Sequence, residues 1–210
     1  PDIEIKLDQL PAIKNGYITF GSFNNLSKIN DRVISLWCKI LSAVAGSKIF
    51  LKNKTLHDSY FKKKIISDFK KNNISSDALI LEGSSSRNEL LASYNKVDIA
   101  LDPFPYSGGT TSFEAIWMGV PVLTKKGFKF ISRMTESINH NVNMSDWIAN
   151  DENEYVKKAI EFSANLERLS EIKKNLRKTA LESPAFNASL FAEQLNTAVW
   201  KMWNNYISKN

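Results

Sequence analysis

Residues 97–124 have the sequence VDIALDPFPYSGGTTSFEAIWMGVPVLT, and this stretch decides the fold. A short apolar run at 97–101 ends in Asp102-Pro103, helical spacing follows at 111–118, and a second apolar run occupies 120–124. Strand, loop, helix and strand in this order predict a β-α-β unit. Because neither strand alternates apolar and polar residues, we expect both to lie in a parallel sheet that is covered on both faces.

The same alternation extends toward the N-terminus. Further strands are predicted at 17–20, 48–51 and 78–81, and the helices between them at 30–45, 56–71 and 87–94. After residue 124 the pattern is helical, with helices predicted at 131–138, 145–148, 152–164, 166–181 and 189–207. Five β-α units in succession predict an α/β fold, a Rossmann-like, doubly wound parallel sheet with C-terminal helices. The last helix has an apolar stripe, which is more typical of a core or a domain-packing surface than of a ligand site.

Composition narrows the class of protein. Of 210 residues, 43% are hydrophobic and 24% charged, which is ordinary for a globular protein. The sequence contains neither a signal peptide nor an apolar run of about 18 residues, so we expect no membrane association. The single cysteine, Cys38, excludes an intramolecular disulfide and a cysteine-only metal site, and the cytoplasm is the expected compartment.

The net charge of +6 suits an anionic ligand. The densest basic cluster is Lys62-Lys63-Lys64, followed by Lys70-Lys71, among apolar residues at helical spacing. This pattern favours the solvated face of an amphipathic helix. A nucleic-acid-binding patch is the alternative, but no other feature supports it.

Three polar loops follow predicted strands, at 21–28, 82–87 and 102–111. Ligands of open α/β sheets bind beyond the carboxyl ends of the strands, so we expect the loops to form one site. Gly108-Gly109 allows close approach of a ligand, and Thr110-Thr111 opens a helix whose N-terminus favours phosphate. Glu114 lies one turn further, within reach of ribose hydroxyls. A plain helix start with a threonine cap and a dipole-complementing glutamate explains the local pattern equally well.

Other residues refine this expectation. Lys28 is placed to reach the same phosphates, Arg87 to reach the phosphates or a base, and Asp102 either to fix its turn or to touch the ligand. The sequence lacks the G-x-G-x-x-G fingerprint and the P-loop. His57 and His140 lie outside the three loops, and neither a catalytic triad nor a metal-ligand cluster is present. The sequence therefore predicts a site for a phosphorylated ligand without a general base.

Two motifs carry a resemblance to a known family. The segment FGSFNNLSKI at 20–29, and the run at 97–111 continuing into EAIWMGVPV at 114–122, resemble the O-GlcNAc-transferase/Spindly family, glycosyltransferase family 41. Ser132-Arg133, residues 147–155, Ser183-Pro184 and residues 200–203 fit the downstream pattern. The match extends from about residue 10 to residue 203 and is nearest to bacterial members.

The resemblance implies a GT-B glycosyltransferase, in which two Rossmann-like domains face each other across a cleft. This chain corresponds to the C-terminal, donor-binding half: a single domain at 1–210, with a Rossmann-like core at about 10–180 and a C-terminal helix at 185–207. The implied reaction is inverting transfer of a sugar, typically GlcNAc from UDP-GlcNAc, to Ser or Thr of proteins, with neither a cofactor nor a metal. The N-terminal half and TPR repeats would supply the acceptor contacts and the catalytic histidine, so this chain alone is expected to be inactive.

The resemblance also assigns roles to residues. Lys28 would neutralise the diphosphate leaving group, Asn25 would contact the phosphate region, and Glu114 would meet the ribose. The segment 85–87 would recognise the uracil, and Gly109 replaces a histidine of animal members. The implied donor site comprises Asn25, Lys28, Ser85, Arg87, Leu90, Gly108, Gly109, Thr110, Thr111 and Glu114.

Leu90 departs from the family pattern, because many members carry a histidine against the uracil at this position. This departure leaves the donor open, with GDP-fucose and UDP-glucose as alternatives to UDP-GlcNAc. A non-catalytic module that binds a nucleotide sugar or a protein partner is a further alternative.

Overall fold

The computed structural model describes residues 5–209; residues 1–4 and 210, which the predicted domain includes, lie outside the described residues. The strands are β1 (Thr19–Ser22), β2 (Lys48–Lys52), β3 (Leu79–Glu82), β4 (Ile99–Leu101), β5 (Val122–Lys125) and β6 (Ile148–Ala149). All their pairings are parallel, in the order β3-β2-β1-β4-β5-β6. This is the doubly wound order, which reverses between β1 and β4. The predicted fold class is confirmed.

The helices cover both faces of the sheet. They are α1 (Pro11–Asn15), α2 (Asp31–Ala43), α3 (Ser59–Lys70), α4 (Arg87–Ser93), α5 (Thr110–Trp117), α6 (Met134–Asn141), α7 (Glu152–Ser163), α8 (Leu166–Leu181) and α9 (Ala188–Ile207). On one face α2 packs against α3 and α7, and on the other α5 packs against α6 and α8. The largest core side chains are Phe20, Trp37, Phe50, Phe69, Tyr94, Trp147 and Tyr155.

The helix predicted at 145–148 is wrong. Ser145–Trp147 form a single 3-10 turn, and Ile148–Ala149 pair with β5 as a sixth strand, with Ile148 opposite Thr124. Tertiary contacts decide this conformation, because Trp147 is buried and its carbonyl accepts a hydrogen bond from Asn139. A two-residue strand is too short to produce a recognisable apolar run.

Other boundaries also differ from the predictions; β4 and β5, for example, each begin two residues later than predicted. The first strand begins at Thr19, not at residue 17, and includes Gly21 and Ser22, which pair with β2. Helix α3 begins at Ser59 because Asp58 caps it, and α6 begins after the 3-10 turn Phe130–Ser132. The short helix α1 was not predicted.

The basic cluster lies on α3, whose buried residues are Ile65, Asp68 and Phe69. The Asp68 carboxylate accepts hydrogen bonds from Lys64 and Lys71, at 2.7 and 2.8 Å. Part of the positive charge is therefore neutralised within the helix, which favours the solvated-face interpretation.

Helix α9 lies outside the core. Its stripe is exposed at Phe191, Leu195, Val199, Trp200, Met202, Trp203 and Tyr206. The preceding 3-10 turn, Pro184–Phe186, attaches it to the domain, because the Phe186 ring stacks on Trp117 and meets Phe113 edge-on. The stripe is therefore not core, and its role as a packing surface stays a prediction. Between residues 5 and 209, no helix is both long and apolar enough to cross a bilayer.

Candidate functional site

The loops after β1 and β4 meet at the point where the strand order reverses. Side-chain contacts join them: Thr111 Oγ1 donates to Asn24 Oδ1 at 3.0 Å, and Asn30 Nδ2 donates to the carbonyl oxygen of Phe104 at 2.8 Å. Asn30 also caps α2, since its Oδ1 accepts from the backbone N–H of Val33. The two loops therefore form one crevice at the carboxyl edge of the sheet, where doubly wound folds bind ligands.

Lys28 extends from the β1 side of this crevice to the β4 side. It ends the 3-10 turn Leu26–Lys28, and its Nζ donates to the carbonyl oxygen of Ser107 at 2.9 Å. Nζ also lies 3.9 Å from the centroid of the Tyr106 ring. Burial lowers the pKa of Lys28, and the nearby Asp102 carboxylate opposes this by favouring the ammonium form. The side chain thus presents a held cation beside the β4–α5 loop.

The buried side chain of Asp102 fixes the conformation of the β4–α5 loop. The side chain is 1% exposed, Oδ1 accepts from the N–H of Gly108 at 2.6 Å, and Oδ2 accepts from Thr124 Oγ1 at 2.7 Å. The Tyr155 hydroxyl, which accepts from Trp37 Nε1, donates to the Asp102 carbonyl at 3.1 Å. Burial raises the pKa of Asp102 to about 6, opposed by its hydrogen bonds from Thr124 and Gly108. Of the two roles the sequence left open, the structure supports the fixing of the turn.

The two glycines of the loop differ in their surroundings. A Cβ on Gly108 would lie 2.2 Å from Ser112 Oγ and 2.9 Å from Asp102 Oδ1, so this position has no room for a side chain. A Cβ on Gly109 would meet nothing closer than Met134 Cε at 3.7 Å, which is ordinary contact. Of the two positions, Gly108 is therefore the one at which close packing requires a glycine.

Helix α5 begins at the loop with free donors. The amides of Ser112 and Phe113 both bond to the carbonyl oxygen of Gly109, at 3.0 and 3.1 Å. The amides of Thr110 and Thr111 are the first two of the helix and find no partner among the described residues. The N-cap residue is Gly109, which has no side chain that could accept a hydrogen bond from these amides. The helix N-terminus is thus available to an anion from the crevice.

The third predicted loop joins the site through Arg87. Its guanidinium Nη1 forms an ion pair with Glu114 Oε1, in which Glu114 is nearly buried and Arg87 half-exposed. The Tyr94 hydroxyl donates to the Thr111 carbonyl at 3.1 Å and lies 3.5 Å from Glu114 Oε2. The residues predicted for the base and the ribose therefore contact each other directly.

Three predicted site residues lie further out. Asn25 caps its own 3-10 turn, since Oδ1 accepts from the N–H of Ser27 at 3.1 Å. Ser85 is exposed in the loop before α4, and Leu90 is half-buried on α4. Within residues 5–209, no hydrogen bond or ion pair connects these three with the β4–α5 loop.

Sequence reasoning missed four residues near the site: Asn24, His57, Tyr94 and Tyr106. His57 Nε2 lies 2.8 Å from Ser84 Oγ, and its ring fills the space beside Gly83. Although His57 follows β2 and is outside the three loops in sequence, it contacts one of them. The signal available was the parallel pairing of β2 with β3, which places the two following segments side by side.

This arrangement defines a Rossmann-like domain with a crevice at its topological switch point that presents an ammonium group and free backbone N–H groups, in the class of GT-B glycosyltransferase folds. The profile of Glycosyl transferase family 41 matches residues 6–195. The chain belongs to glycosyltransferase family 41, and the resemblance seen in the sequence is confirmed.

Curated relatives and solved structures agree with this assignment. A protein of Hordeum vulgare described as "Probable UDP-N-acetylglucosamine--peptide N-acetylglucosaminyltransferase SPINDLY" is 34% identical over 197 residues, which cover 93% of this chain and 21% of that protein. The chain thus spans about a fifth of this relative's length. A mutant O-GlcNAc transferase from Thermobaculum terrenum superposes with a TM-score of 0.82 at 34% identity, over 91% of this chain and 37% of that one. A sucrose-phosphate synthase from Thermosynechococcus elongatus shares the fold alone, with a TM-score of 0.62 at 12% identity over 93% of this chain and 49% of that one.

Proposed function

We propose that this chain is the donor-binding half of a protein O-glycosyltransferase that transfers a sugar, GlcNAc from UDP-GlcNAc in the favoured case, to Ser or Thr of proteins. One observation carries the proposal: the ammonium of Lys28 contacts the β4–α5 loop at Ser107, and the free amides of Thr110 and Thr111 begin the helix that follows this loop. The names of the relatives, which describe peptide N-acetylglucosaminyltransferases, support the choice of donor and acceptor.

In the proposed reaction the hydroxyl oxygen of an acceptor Ser or Thr forms a bond to the anomeric carbon while the bond between that carbon and the diphosphate breaks. The hydroxyl proton passes to the general base, and the diphosphate leaves with the electron pair of the broken bond as negative charge. Lys28 and the N-terminus of α5 are fixed before that charge develops, so they stabilise the transition state electrostatically. The proposal invokes no metal ion and no cofactor. The general base and the acceptor contacts belong, in this proposal, to an N-terminal half with TPR repeats.

The nucleoside is assigned to the other end of the crevice. Glu114 is held by Arg87 and faces the Tyr94 hydroxyl, so its carboxylate is oriented to accept hydrogen bonds from ribose. The base is assigned to residues 85–87 and Leu90. Leucine offers an apolar surface to any base, so GDP-fucose stays in the experiment as an alternative donor. UDP-glucose stays as well, because it shares the uracil base with UDP-GlcNAc.

Calorimetric titration of the chain with UDP, UDP-GlcNAc, UDP-glucose, GDP, GDP-fucose and uridine tests the proposal. Lys28→Ala should weaken UDP binding about tenfold or more, while uridine binding is unchanged, because a charge-assisted contact to phosphate is worth about 1.5–3 kcal/mol. Lys63→Ala, on the exposed face of α3, is the matched control and should bind UDP like the wild type. Failure of every nucleotide to bind at millimolar concentration, or an equal loss for UDP and uridine, would contradict the proposal.

We also propose a cytoplasmic location. Cys38 is a free thiol buried in α2, and an unpaired cysteine is typical of proteins in a reducing compartment.

A further inference from the structure

The Tyr106 ring contacts the Lys28 ammonium, which is the cation that the proposed function assigns to the diphosphate. The Lys28 ammonium lies 3.9 Å from the centroid of the Tyr106 ring, well within the range of about 6 Å for a cation–π contact. The neighbouring residue, Ser107, accepts a hydrogen bond from the same ammonium at 2.9 Å. Two consecutive residues of the β4–α5 loop therefore hold one lysine that comes from the β1 side of the crevice.

We propose that Tyr106 is a positioning residue: its ring face holds the Lys28 ammonium against the β4–α5 loop, where the ammonium meets the diphosphate of a nucleotide ligand. This inference rests on the proposed function. A free lysine side chain has about 2 kcal/mol of rotamer entropy to lose on binding. A lysine already held by a ring and a carbonyl has lost part of it before the ligand arrives, so the diphosphate binds more tightly.

The backbone on both sides of Tyr106 is anchored, so the ring has a fixed base. On one side, Asn30 Nδ2 donates to the carbonyl oxygen of Phe104 at 2.8 Å. On the other, the N–H and the hydroxyl of Ser107 both donate to the carbonyl oxygen of Ile131, at 3.1 and 2.9 Å. Tyr106 is 44% exposed, and within residues 5–209 its hydroxyl makes no hydrogen bond. The ring face is therefore the part of the residue that acts on Lys28.

The same contact between Tyr106 and Lys28 could also have the opposite effect on UDP binding, and this effect is testable. If the ring held Lys28 away from the ligand, removal of the ring would free the lysine and tighten UDP binding. The sign of the change in UDP affinity thus separates positioning from sequestration.

The experiment is a double-mutant cycle on this chain, with UDP and uridine as probes in calorimetry. Tyr106→Leu removes the ring and should weaken UDP binding about three- to thirtyfold, the range of a cation–π contact, and leave uridine binding unchanged. Tyr106→Phe keeps the ring face and should stay within about twofold of the wild type. In a Lys28→Met background, Tyr106→Leu should cause no further loss of UDP affinity.

The inference would be overturned by equal losses for UDP and uridine, by a loss that persists in the Lys28→Met background, or by tighter UDP binding of Tyr106→Leu. Thermal unfolding of each variant shows that an observed loss is not a loss of fold. Absence of UDP binding by the wild-type chain would overturn the proposed function and this inference together. Equal UDP binding by the wild type and Tyr106→Leu would overturn the inference alone.

Discussion

Gly108 is in close contact through its N–H, its carbonyl and its Cα, whereas its neighbour Gly109 has room for a methyl group. The Gly108 N–H is taken by the buried Asp102 carboxylate, and its carbonyl accepts from Thr135 Oγ1 at 3.2 Å. Its Cα faces Ser112, whose hydroxyl lies 2.8 Å from that of Thr135. Any side chain at Gly108 would have to break this set of contacts, and with it the geometry that starts α5.

Gly108→Ala should therefore reduce both stability and UDP affinity. Overpacking of this kind costs about 1–3 kcal/mol, and displacement of the α5 amides should weaken UDP binding about tenfold or more. Urea denaturation and calorimetry measure the two effects. Gly109→Ala, where a methyl group meets no protein atom closer than 3.7 Å, is the control for the packing effect and should lose less stability than Gly108→Ala. Equal stability of the two variants would show that the loop relaxes around a methyl group at Gly108.

Individual residues show where sequence reasoning works and where it stops. The glycines and threonines after β4, with Lys28 after β1, predict an anion site because strand ends of a doubly wound sheet converge. The role of Asp102 stayed open, since a carboxylate after a strand suits a turn and a ligand equally; only its contacts with Gly108 and Thr124 decide. Asn24 was missed because its partner, Thr111, is 87 residues away in sequence.

At the scale of elements, β-α units are predictable because each strand and helix has its own periodicity. The sixth strand was missed because two residues are too few to show a periodic pattern. Only its pairing with β5 defines it as a strand. The exposure of α9 was also beyond the sequence: an apolar stripe shows that a helix has a side to bury, but not whether the same chain covers it.

Deletion of residues 188–210 should leave the stability of the domain nearly unchanged. None of the described residues of α9 is buried, so the change in free energy of unfolding should stay below about 1 kcal/mol. Phe186→Ala, which removes the ring packed on Trp117, should cost more, about 1–3 kcal/mol. Urea denaturation compares the two variants.

The same deletion should reduce self-association, because exposed apolar patches promote contact between copies. Light scattering after size exclusion reports this. A truncated chain that unfolds far more easily than the full chain would show that α9 contributes to the core in solution.

At the scale of the whole molecule, two buried carboxylates connect the sheet with its surroundings. Asp98, 1% exposed, accepts hydrogen bonds from the N–H groups of Ala12 and Thr19, at 2.9 and 2.8 Å, and so ties α1 to β1. Asp102 plays the corresponding part at the other end of β4. Burial raises the pKa of each to about 6, against the opposing effect of their hydrogen bonds. Strand β4 therefore has an acid with a raised pKa just before it and another just after it.

These two acids predict that the domain loses stability as the pH rises from 5 to 7. In the unfolded chain both carboxyls have the ordinary pKa of 3.8 and are ionised throughout this range, whereas in the folded chain they keep their protons up to about pH 6. The folded state thus binds more protons near pH 5, and stability falls as these are released, by about 2–3 kcal/mol for the pair. Carboxylates with lowered pKa values, such as Glu154 at about 2, act in the opposite sense, but only below about pH 4.5.

Urea denaturation at pH 5, 6 and 7 measures this fall in stability. Asp102→Asn should remove about half of it, because an amide can accept from Gly108, donate to Thr124 and hold no titrating proton. Stability that is flat or rising between pH 5 and 7 in the wild type would show that both carboxyls ionise near their ordinary pKa despite their burial.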